Sequence, residues 1–136
     1  MNADNSSYTL SFVRRRKTLS LQDVEVHAVY ADHGELAPDA FGVIVDFDGI
    51  RVYHTGDTAL RIDTFQPALA LKGHILLPYI NGAFGNMNAD DAATLAALAR
   101  PDVVIPTHFW LFVEQNGDPR RFPASVQAFP HTQGRC

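Results

Sequence analysis

Two short apolar segments separated by one helical pattern constrain the fold of this 136-residue chain most strongly. The first segment is HILLPYI at 74–80, and the second is DVVIP at 102–106. Short, nearly continuous apolar runs are typical of strands that are covered on both faces. Between them, NADDAATLAALARP at 88–101 predicts a helix whose small alanine side chains let it lie close to a sheet. The pattern predicts an α/β chain, with a mixed sheet and helices on one face.

The ends of this helix are marked in the sequence. Asn88 is a good N-cap, because its side chain can accept hydrogen bonds from the first free N–H groups of a helix. Asp90 and Asp91 place negative charge at the positive end of the helix dipole, and Pro101 stops the helix. We therefore expect the helix to begin directly after Asn88.

The residues before position 74 predict further strands. Residues 23–31 alternate with a period of two, which places a row of apolar side chains on one face. Asp48-Gly49 separates two β-rich runs, 41–47 and 50–54, and permits the positive φ angles of a tight hairpin. Residues 61–73 are ambiguous, and we interpret them as a short, proline-interrupted helix that ends at Gly73.

Composition and charge limit the classes of function. Apolar residues make up 46% of the chain and charged residues 19%, as in an ordinary soluble domain, and the length suits one domain. The net charge of −4 argues against nucleic acid or a membrane surface as the main partner, and no apolar run approaches the roughly 18 residues of a membrane span. The lone cysteine, Cys136, cannot form an internal disulfide, and the N-terminus lacks a signal-peptide pattern. We therefore expect a cytoplasmic location.

A basic stretch, RRRK, occupies positions 14–17. A nucleic-acid patch is one interpretation. The other, which we favour, is a solvated stretch at the end of a loose N-terminal segment, 1–17. Residues 18–136 would then form the single domain.

Side chains that can bind metals follow three of the predicted strands. Asp32 and His33 follow the first, His54 and Asp57 follow the second, and His108 follows the third. Loops at strand ends are where sites are built, because the sheet fixes the positions of those ends. Imidazoles and carboxylates suit a borderline metal such as Zn²⁺ or Mn²⁺. The three remaining histidines, His27, His74 and His131, are interpreted as structural or exposed.

The loop NGAFGNMN at 81–88 has two interpretations. Asn81, Gly82 and Asn86 could line a substrate pocket, because glycine and asparagine expose backbone N–H groups suited to anions. The loop could equally be a helix entry that ends at the Asn88 cap. The residue pattern leaves both open.

Three motifs, in order, resemble the later motifs of the metallo-β-lactamase superfamily. They are VHAVYADHG at 26–34, GIRVYHTGDT at 49–58 and INGAFGNMNADDAATLAALARPDVVIPTHF at 80–109. The branch they most resemble is the L-ascorbate-6-phosphate lactonase-like metal-dependent hydrolases. The resemblance implies an αββα sandwich, in which two βα layers pack face to face.

The resemblance also implies roles for four residues. His33 matches a metal ligand, Asp57 the catalytic carboxylate that bridges two metals, and His108 the histidine of the second metal. His54 would lie outside the ligand set and hold Asp57 in orientation. The implied cofactor is Zn²⁺ or Mn²⁺, as one or two ions.

One family motif, H-x-H-x-D-H, is absent from these 136 residues, because no two of the six histidines lie two residues apart. In the family this loop belongs to the N-terminal half and supplies four metal ligands. We therefore expect a truncated domain, about half of the sandwich, with an apolar sheet face left open. A second copy of the chain, giving a homo-oligomer, or a separate N-terminal half would cover that face.

Two functions follow, and the sequence leaves open whether the chain is an enzyme. The first is a metal-dependent hydrolase of the lactonase or phosphodiesterase type, acting on a small molecule and weakly active or inactive alone. The second is a non-catalytic, oligomeric interaction domain that has lost the site. The number of metal ligands distinguishes them, because a catalytic zinc typically keeps three protein ligands and one open position.

Overall fold

A computed structural model of the chain describes residues 17–109 and 117–122, and these form one six-stranded sheet with two α-helices. The strands are β1 (Thr18–Leu21), β2 (Val24–Tyr30), β3 (Phe41–Phe47), β4 (Ile50–His54), β5 (Ile75–Leu77) and β6 (Val103–Val104). The helices are α1 (Ile62–Ala70) and α2 (Ala89–Ala99), and a single 3₁₀ turn covers Gly34–Leu36. Neither helix of the described part is long and apolar enough to cross a membrane.

The order of strands in the sheet follows the chain from β1 to β6. Strands β1 to β4 form an antiparallel meander, and β5 and β6 add in parallel to β4. Helix α1 connects β4 to β5, and α2 connects β5 to β6. Strands β2, β4, β5 and β6 consequently run in the same direction, so that the loops after them meet at one edge of the sheet.

The turn between β3 and β4 forms as the sequence predicts. Asp48 has a φ of 50° and Gly49 a φ of 82°, the two positive angles of a tight hairpin. The Asp46 carboxylate accepts a hydrogen bond from the Gly49 amide at 3.0 Å and from Nε of Arg51 at 2.7 Å. These bonds set the register of the two strands that lead to the candidate site.

Both helices pack on the same face of the sheet. Strand pairing places Val29, Ile44 and Tyr53 on this face, and Leu76 joins them in one buried cluster. The helices contribute the other side of the cluster, which consists of Phe65, Ala68, Ala89, Ala92, Ala93, Leu95 and Ala96. Four alanines and one leucine of α2 are thus buried in the cluster. The prediction of a mixed sheet with helices on one face is confirmed.

Helix α1 differs in detail from its prediction. The proline does not interrupt it, since the helix runs from Ile62 to Ala70 with Pro67 inside, and it ends before Gly73. Phe65 and Ala68, on either side of the proline, are 1% and 3% exposed. Burial of this face stabilises the helix enough to offset the hydrogen bond that the proline cannot donate.

The opposite face of the sheet, here called the open sheet face, is apolar as well. Strand pairing places these side chains on it: Leu19, Leu21, Val24, Val26, Ala28, Tyr30, Phe41, Val43, Val45, Phe47, Ile50, Val52, His54, Ile75, Leu77 and Val103. No Asp, Glu, Lys or Arg is among them, and Phe47 and Ile50 are 58% and 55% exposed. An antiparallel sheet face that meets water normally carries polar side chains. The composition of this face is that of a surface built to be covered.

Several expectations fall on residues outside the described part. The basic residues at 14–16, His131 and Cys136 lie there, and so does all of the segment 1–17 except Lys17. The expected loose N-terminal segment and cytoplasmic location therefore stay predictions.

Helix α2 begins with a reciprocal cap that yields a stability prediction. Oδ1 of Asn88 accepts hydrogen bonds from the amides of Asp90 and Asp91, at 2.8 and 2.9 Å, and the Asp91 carboxylate accepts one from the Asn88 amide at 3.2 Å. We expect Asn88→Ala to lower the free energy of unfolding by about 1 kcal/mol, and Asn88→Asp, which keeps the acceptor, to stay within a few tenths of wild type. Urea unfolding of the two variants measures this, and equal losses would contradict the capping role.

Candidate metal centre

The three predicted ligand residues lie on loops that meet at one edge of the sheet. His33 follows β2, Asp57 follows β4 and His108 follows β6. Because these strands run in the same direction, the residues that follow them emerge at the same edge. The topology therefore brings together side chains that are up to 75 positions apart in the sequence.

The Asp57 carboxylate lies between two histidine rings. Its Oδ1 is 2.9 Å from Nδ1 of His108, and its Oδ2 is 4.0 Å from Nε2 of His33. The three side chains are 30%, 19% and 18% exposed for Asp57, His108 and His33, so the site opens to solvent on one side. The structure thus places these residues together as the sequence analysis expects, while their roles as ligands stay predictions.

A sharp turn aims Asp57 at the histidines, and two glycines make it possible. Gly56 has a φ of 67°, and a Cβ there would lie 2.9 Å from the carbonyl oxygen of Phe41. On the neighbouring strand, a Cβ at Gly42 would lie 2.6 Å from the carbonyl oxygen of Thr55. β3 therefore passes the turn at a distance that allows no side chain at either position.

Thr55, on one side of this turn, ties it to the chain that follows β5. The side chain is fully buried, and its Oγ1 donates to the Gly56 carbonyl at 3.0 Å. The same oxygen accepts a hydrogen bond from the Tyr79 amide at 3.1 Å, and the Thr55 amide donates to the Leu77 carbonyl at 3.2 Å. Thr55 thus fixes the turn against the end of β5.

Thr58, on the other side of the turn, ties it to the His33 loop. Its Oγ1 accepts a hydrogen bond from the Asp32 amide at 2.9 Å and donates to the Ala59 carbonyl at 3.1 Å. Its carbonyl accepts a hydrogen bond from the Met87 amide at 2.8 Å. With 1% of its surface exposed, Thr58 joins three loops within the protein interior.

Asp32, which precedes His33, has a structural role. Its carboxylate accepts hydrogen bonds from the Gly34 amide at 3.1 Å and from Nε of Arg61 at 3.0 Å, and its carbonyl accepts one from the Ala59 amide at 2.8 Å. These contacts hold the His33 loop against the Asp57 turn. Asp32 therefore acts through His33 and does not point at Asp57.

Aromatic rings connect His54 to His108. The Tyr79 ring lies between them, 4.8 Å from the His54 ring and 4.5 Å from the His108 ring, with interplanar angles of 82° and 71°. These are edge-to-face contacts. His108 itself has a φ of 54°, an uncommon conformation for a residue other than glycine that concentrates at functional sites. His54 thus contacts Tyr79 beside the site, and its place outside the ligand set stays a prediction.

Burial sets the protonation state of the residues around Asp57. It lowers the pKa of His54, an effect that the nearby Asp57 opposes and that His108 reinforces. Burial, with a contribution from Asp57, raises the pKa of Tyr79. A neutral imidazole and a neutral phenol therefore border the Asp57 carboxylate near neutral pH.

The side chains around Asp57 suit Zn²⁺ or Mn²⁺ in their chemistry but are not arranged around one point. Nε2 of His33 faces the Asp57 carboxylate at 4.0 Å, while its Nδ1 is buried and has no hydrogen-bond partner. Yet within 17–109 and 117–122, no three side chains of His, Cys, Asp or Glu are arranged to enclose one metal. His33, Asp57 and His108 therefore lie together without forming an enclosed site, and their binding of a metal stays a prediction.

The loop at 81–88 closes on itself. The Gly82 amide donates to the Met87 carbonyl at 3.0 Å, and the Asn86 amide donates to the Ala83 carbonyl at 3.0 Å. These N–H groups are used within the loop, which favours its interpretation as a helix entry. However, Oδ1 of Asn81 and both side-chain polar atoms of Asn86 are buried without partners. A contact of these amides with substrate stays a prediction.

The other described histidines have structural contacts. Nδ1 of His27 lies 3.0 Å from Oγ1 of Thr18, and its Nε2 lies 3.5 Å from the Glu25 carboxylate. Nδ1 of His74 accepts a hydrogen bond from the Arg51 amide at 3.0 Å. Neither lies among the contacts that surround Asp57.

Sequence analysis missed the residues that support the site. Thr55 and Thr58 flank Gly56-Asp57, and their symmetric placement around the turn was the available signal. Tyr79 follows an apolar strand and carries no sign of a site in its local sequence. The ion pair between Arg61 and Asp32 joins residues 29 positions apart, and local sequence does not reveal it.

Removal of the Thr58 hydroxyl tests the link between the turn and the His33 loop. Thr58→Val keeps the side-chain volume but leaves the Asp32 amide without its acceptor, so we expect a loss of about 1–3 kcal/mol in the free energy of unfolding. Thr94→Val is the control, because the Thr94 hydroxyl bonds to the Asp90 carbonyl of its own exposed helical turn, and it should cost less than about 0.5 kcal/mol. Similar losses for both variants in urea unfolding would refute the role of Thr58.

The lowered pKa of His54 predicts a dependence of stability on pH. The folded state disfavours the charged imidazole, so the contribution of His54 is fully present above the ordinary imidazole pKa of about 6.5 and is lost as the pH falls below it. Between about pH 7 and pH 5 the wild type should lose stability more steeply than His54→Gln. Urea unfolding at several pH values compares the two slopes, and parallel curves would contradict the prediction.

Comparison with known proteins gives the evolutionary context of this site. The sequence profile described as beta-lactamase superfamily domain matches residues 2–108. A UPF0173 metal-dependent hydrolase of Aeropyrum pernix is 36% identical over 109 residues, which cover 79% of this chain and 44% of that protein. A second, of Archaeoglobus fulgidus, is 36% identical over 87 residues, or 64% of this chain and 37% of that protein. The chain spans about half the length of such relatives, or less.

Solved structures show the same relation. Igni18, a metallo hydrolase from Ignicoccus hospitalis, superposes with a TM-score of 0.71 at 28% identity, over 82% of this chain and 50% of that chain. The metallo-beta-lactamase fold protein YhfI from Bacillus subtilis superposes with a TM-score of 0.68 at 16% identity, over 93% and 51%. The second likeness shows the fold alone. Taken with the profile match, these comparisons show that the chain belongs to the metallo-β-lactamase superfamily.

Proposed function

We propose that this chain carries one half of the site of a metal-dependent hydrolase of the lactonase or phosphodiesterase type. The observation behind this proposal is the placement of His33 and His108 on either side of the Asp57 carboxylate, at 4.0 and 2.9 Å. A surface turn has no need of two imidazoles around one carboxylate. The family relation supports hydrolysis with a metal, and the subtype follows from the motif resemblance.

His33, Asp57 and His108 are the residues that would hold Zn²⁺ or Mn²⁺. When bound, such a metal lowers the pKa of a water molecule to near neutrality and polarises the oxygen that becomes negative. The chain's own contribution is orientation. The turn directs Asp57, Thr55 and Thr58 fix the turn, and the Asp32–Arg61 pair holds the His33 loop.

The missing ligands would come from a partner that covers the open sheet face. In the described strands this face carries no Asp, Glu, Lys or Arg side chain, and it reaches the site at His54, so a partner seated on it would lie beside Asp57. We propose that this partner is a polypeptide that carries the H-x-H-x-D-H half of the fold. It would restore both the covered sheet and the ligand number.

A second candidate function is a non-catalytic, oligomeric interaction domain. The observation that favours it is the lack, in the described residues, of a group of three donors around one metal. In this case the occupant of the open sheet face is a second copy of the chain. The uncharged face is compatible with such self-association, since no like charges would oppose each other.

Activity measurements distinguish the two candidates. We expect the chain alone, with Zn²⁺ or Mn²⁺, to hydrolyse a panel of lactones and phosphodiesters no faster than buffer with the same metal. Addition of a polypeptide that supplies the H-x-H-x-D-H half should raise the rate above buffer. Asp57→Asn, which keeps the side-chain size and removes the charge, should abolish that gain.

Two outcomes would contradict the hydrolase proposal in different ways. Turnover by the chain alone that disappears in Asp57→Asn would show that three ligands suffice, against the expected incompleteness. No turnover with the complementary half, despite a stable complex, would favour the interaction domain. Catalysis that survives in Asp57→Asn would remove Asp57 from the site.

The open sheet face predicts association in solution. At micromolar concentration, we expect light scattering to give at least twice the mass of one chain. Association would bury the apolar face, and each Å² of apolar area removed from water stabilises the complex by roughly 25 cal/mol. Val45→Glu, at the centre of the face, should shift the chain to monomer, whereas Thr94→Glu on the exposed side of α2 should not. A stable wild-type monomer would refute this expectation.

A further inference from the structure

Tyr79 lies where the open sheet face meets the candidate metal centre. The chain after β5 continues through Pro78 to Tyr79, which pairs in parallel with Thr107 directly before His108. The amide of Thr107 donates to the Pro78 carbonyl at 2.9 Å, and the Ile80 amide donates to the Thr107 carbonyl at 3.1 Å. The backbone of Tyr79 is therefore fixed beside that of His108.

The same backbone is fixed to the Asp57 turn. The Tyr79 amide donates to Oγ1 of the buried Thr55 at 3.1 Å, two residues before Asp57. Tyr79 thus belongs to the segment that links the two loops whose side chains meet, at 2.9 Å, between Asp57 and His108. The origin of its side chain is therefore fixed near these two residues.

The ring of Tyr79 separates two histidines with different surroundings. His54 lies on the open sheet face, since it pairs with Val43 and Leu77. His108 lies at the edge, with its ring on the Asp57 carboxylate. The Tyr79 ring contacts both, at centroid distances of 4.8 and 4.5 Å and nearly perpendicular angles. A rotation of either histidine ring would therefore meet the tyrosine ring.

We propose that Tyr79 is a positioning residue, whose ring holds the His108 imidazole on Asp57 and couples it to His54 on the open sheet face. A partner that contacts His54 would then also influence the orientation of His108. The ring contacts carry this role, so the phenol hydroxyl is dispensable for it. The expected effect of Tyr79 on metal binding rests on the proposed function, in which His108 is a ligand. The coupling of the His54 and His108 rings through Tyr79 does not depend on that role.

A double-mutant cycle without metal tests the coupling. The ring signals of His108 are recorded by NMR for all variants at one fixed pH of about 8.5, two units above the ordinary imidazole pKa. His54→Leu should move the His108 signals in the wild-type background and leave them unmoved in the Tyr79→Leu background. Tyr79→Phe should restore the wild-type response. Tyr79→Met, which keeps apolar volume without a ring, replaces the leucine variant where that variant fails to fold.

Phe47→Leu is the matched control, because Phe47 is an aromatic residue of the open sheet face at the end of β3 and pairs with Val24 and Ile50. It should leave the His108 signals unmoved. Shifts of equal size from His54→Leu in both backgrounds, or no shift in either, would overturn the inference. Both results are independent of metal and of turnover, so they are distinguishable from a failure of the proposed function.

Zinc binding supplies the second readout. Loss of a group that orients a metal ligand typically costs 10–100-fold in affinity. Tyr79→Leu should therefore weaken the apparent affinity for Zn²⁺ about 10-fold relative to wild type, and Tyr79→Phe and Phe47→Leu should leave it within about two-fold. A wild-type affinity in Tyr79→Leu would contradict the positioning role.

Discussion

The arrangement at the sheet edge depends on the Asp57 carboxylate, whose two oxygens face two different histidines. A short turn can hold a carboxylate in this position only if its backbone is fixed on both sides. Thr55 and Thr58 do this with buried hydroxyls, one toward the end of β5 and one toward the His33 loop. Glycine at 42 and 56 lets the neighbouring strand approach closely enough for the turn to be buried. The position of Asp57 therefore depends on four small residues, Gly42, Thr55, Gly56 and Thr58.

In the described part of the chain, one face of the sheet is free of helices, and the candidate site lies at the edge of that sheet. The helices cover one face of the sheet, and the opposite face carries apolar side chains without acidic or basic neighbours. At the edge of this sheet lie one carboxylate and two imidazoles, which in the described part of the chain are not arranged to enclose a metal. One partner seated on the open sheet face would correct both deficits, because His54 and Tyr79 connect that face to His108. Assembly and metal binding would therefore depend on the same surface.

Local sequence predicts the features that local chemistry determines. The Asn88 cap and the Asp48-Gly49 turn form as expected, because each depends on the conformational preference of one or two residues. Helix α1 continues through Pro67 because tertiary burial of Phe65 and Ala68 outweighs a local penalty. The short edge strand β1 was not expected, since its pairing with β2 comes from the hairpin and not from its own composition. His33, Asp57 and His108 were found from motifs, whereas Thr55, Thr58 and Tyr79 act through contacts that only the folded chain creates.

The most direct test is a crystal structure of the chain soaked in Zn²⁺, with an anomalous difference map recorded at the zinc edge. The account predicts a peak within coordination distance of Asp57, at about 2.0–2.2 Å from its ligand atoms, with His33 or His108 as the other ligands from this chain. It also predicts that the remaining coordination positions are filled by water or by a neighbouring chain. Zinc bound at His27 or His74, with nothing beside Asp57, would contradict the claim that this turn is half of a metal centre.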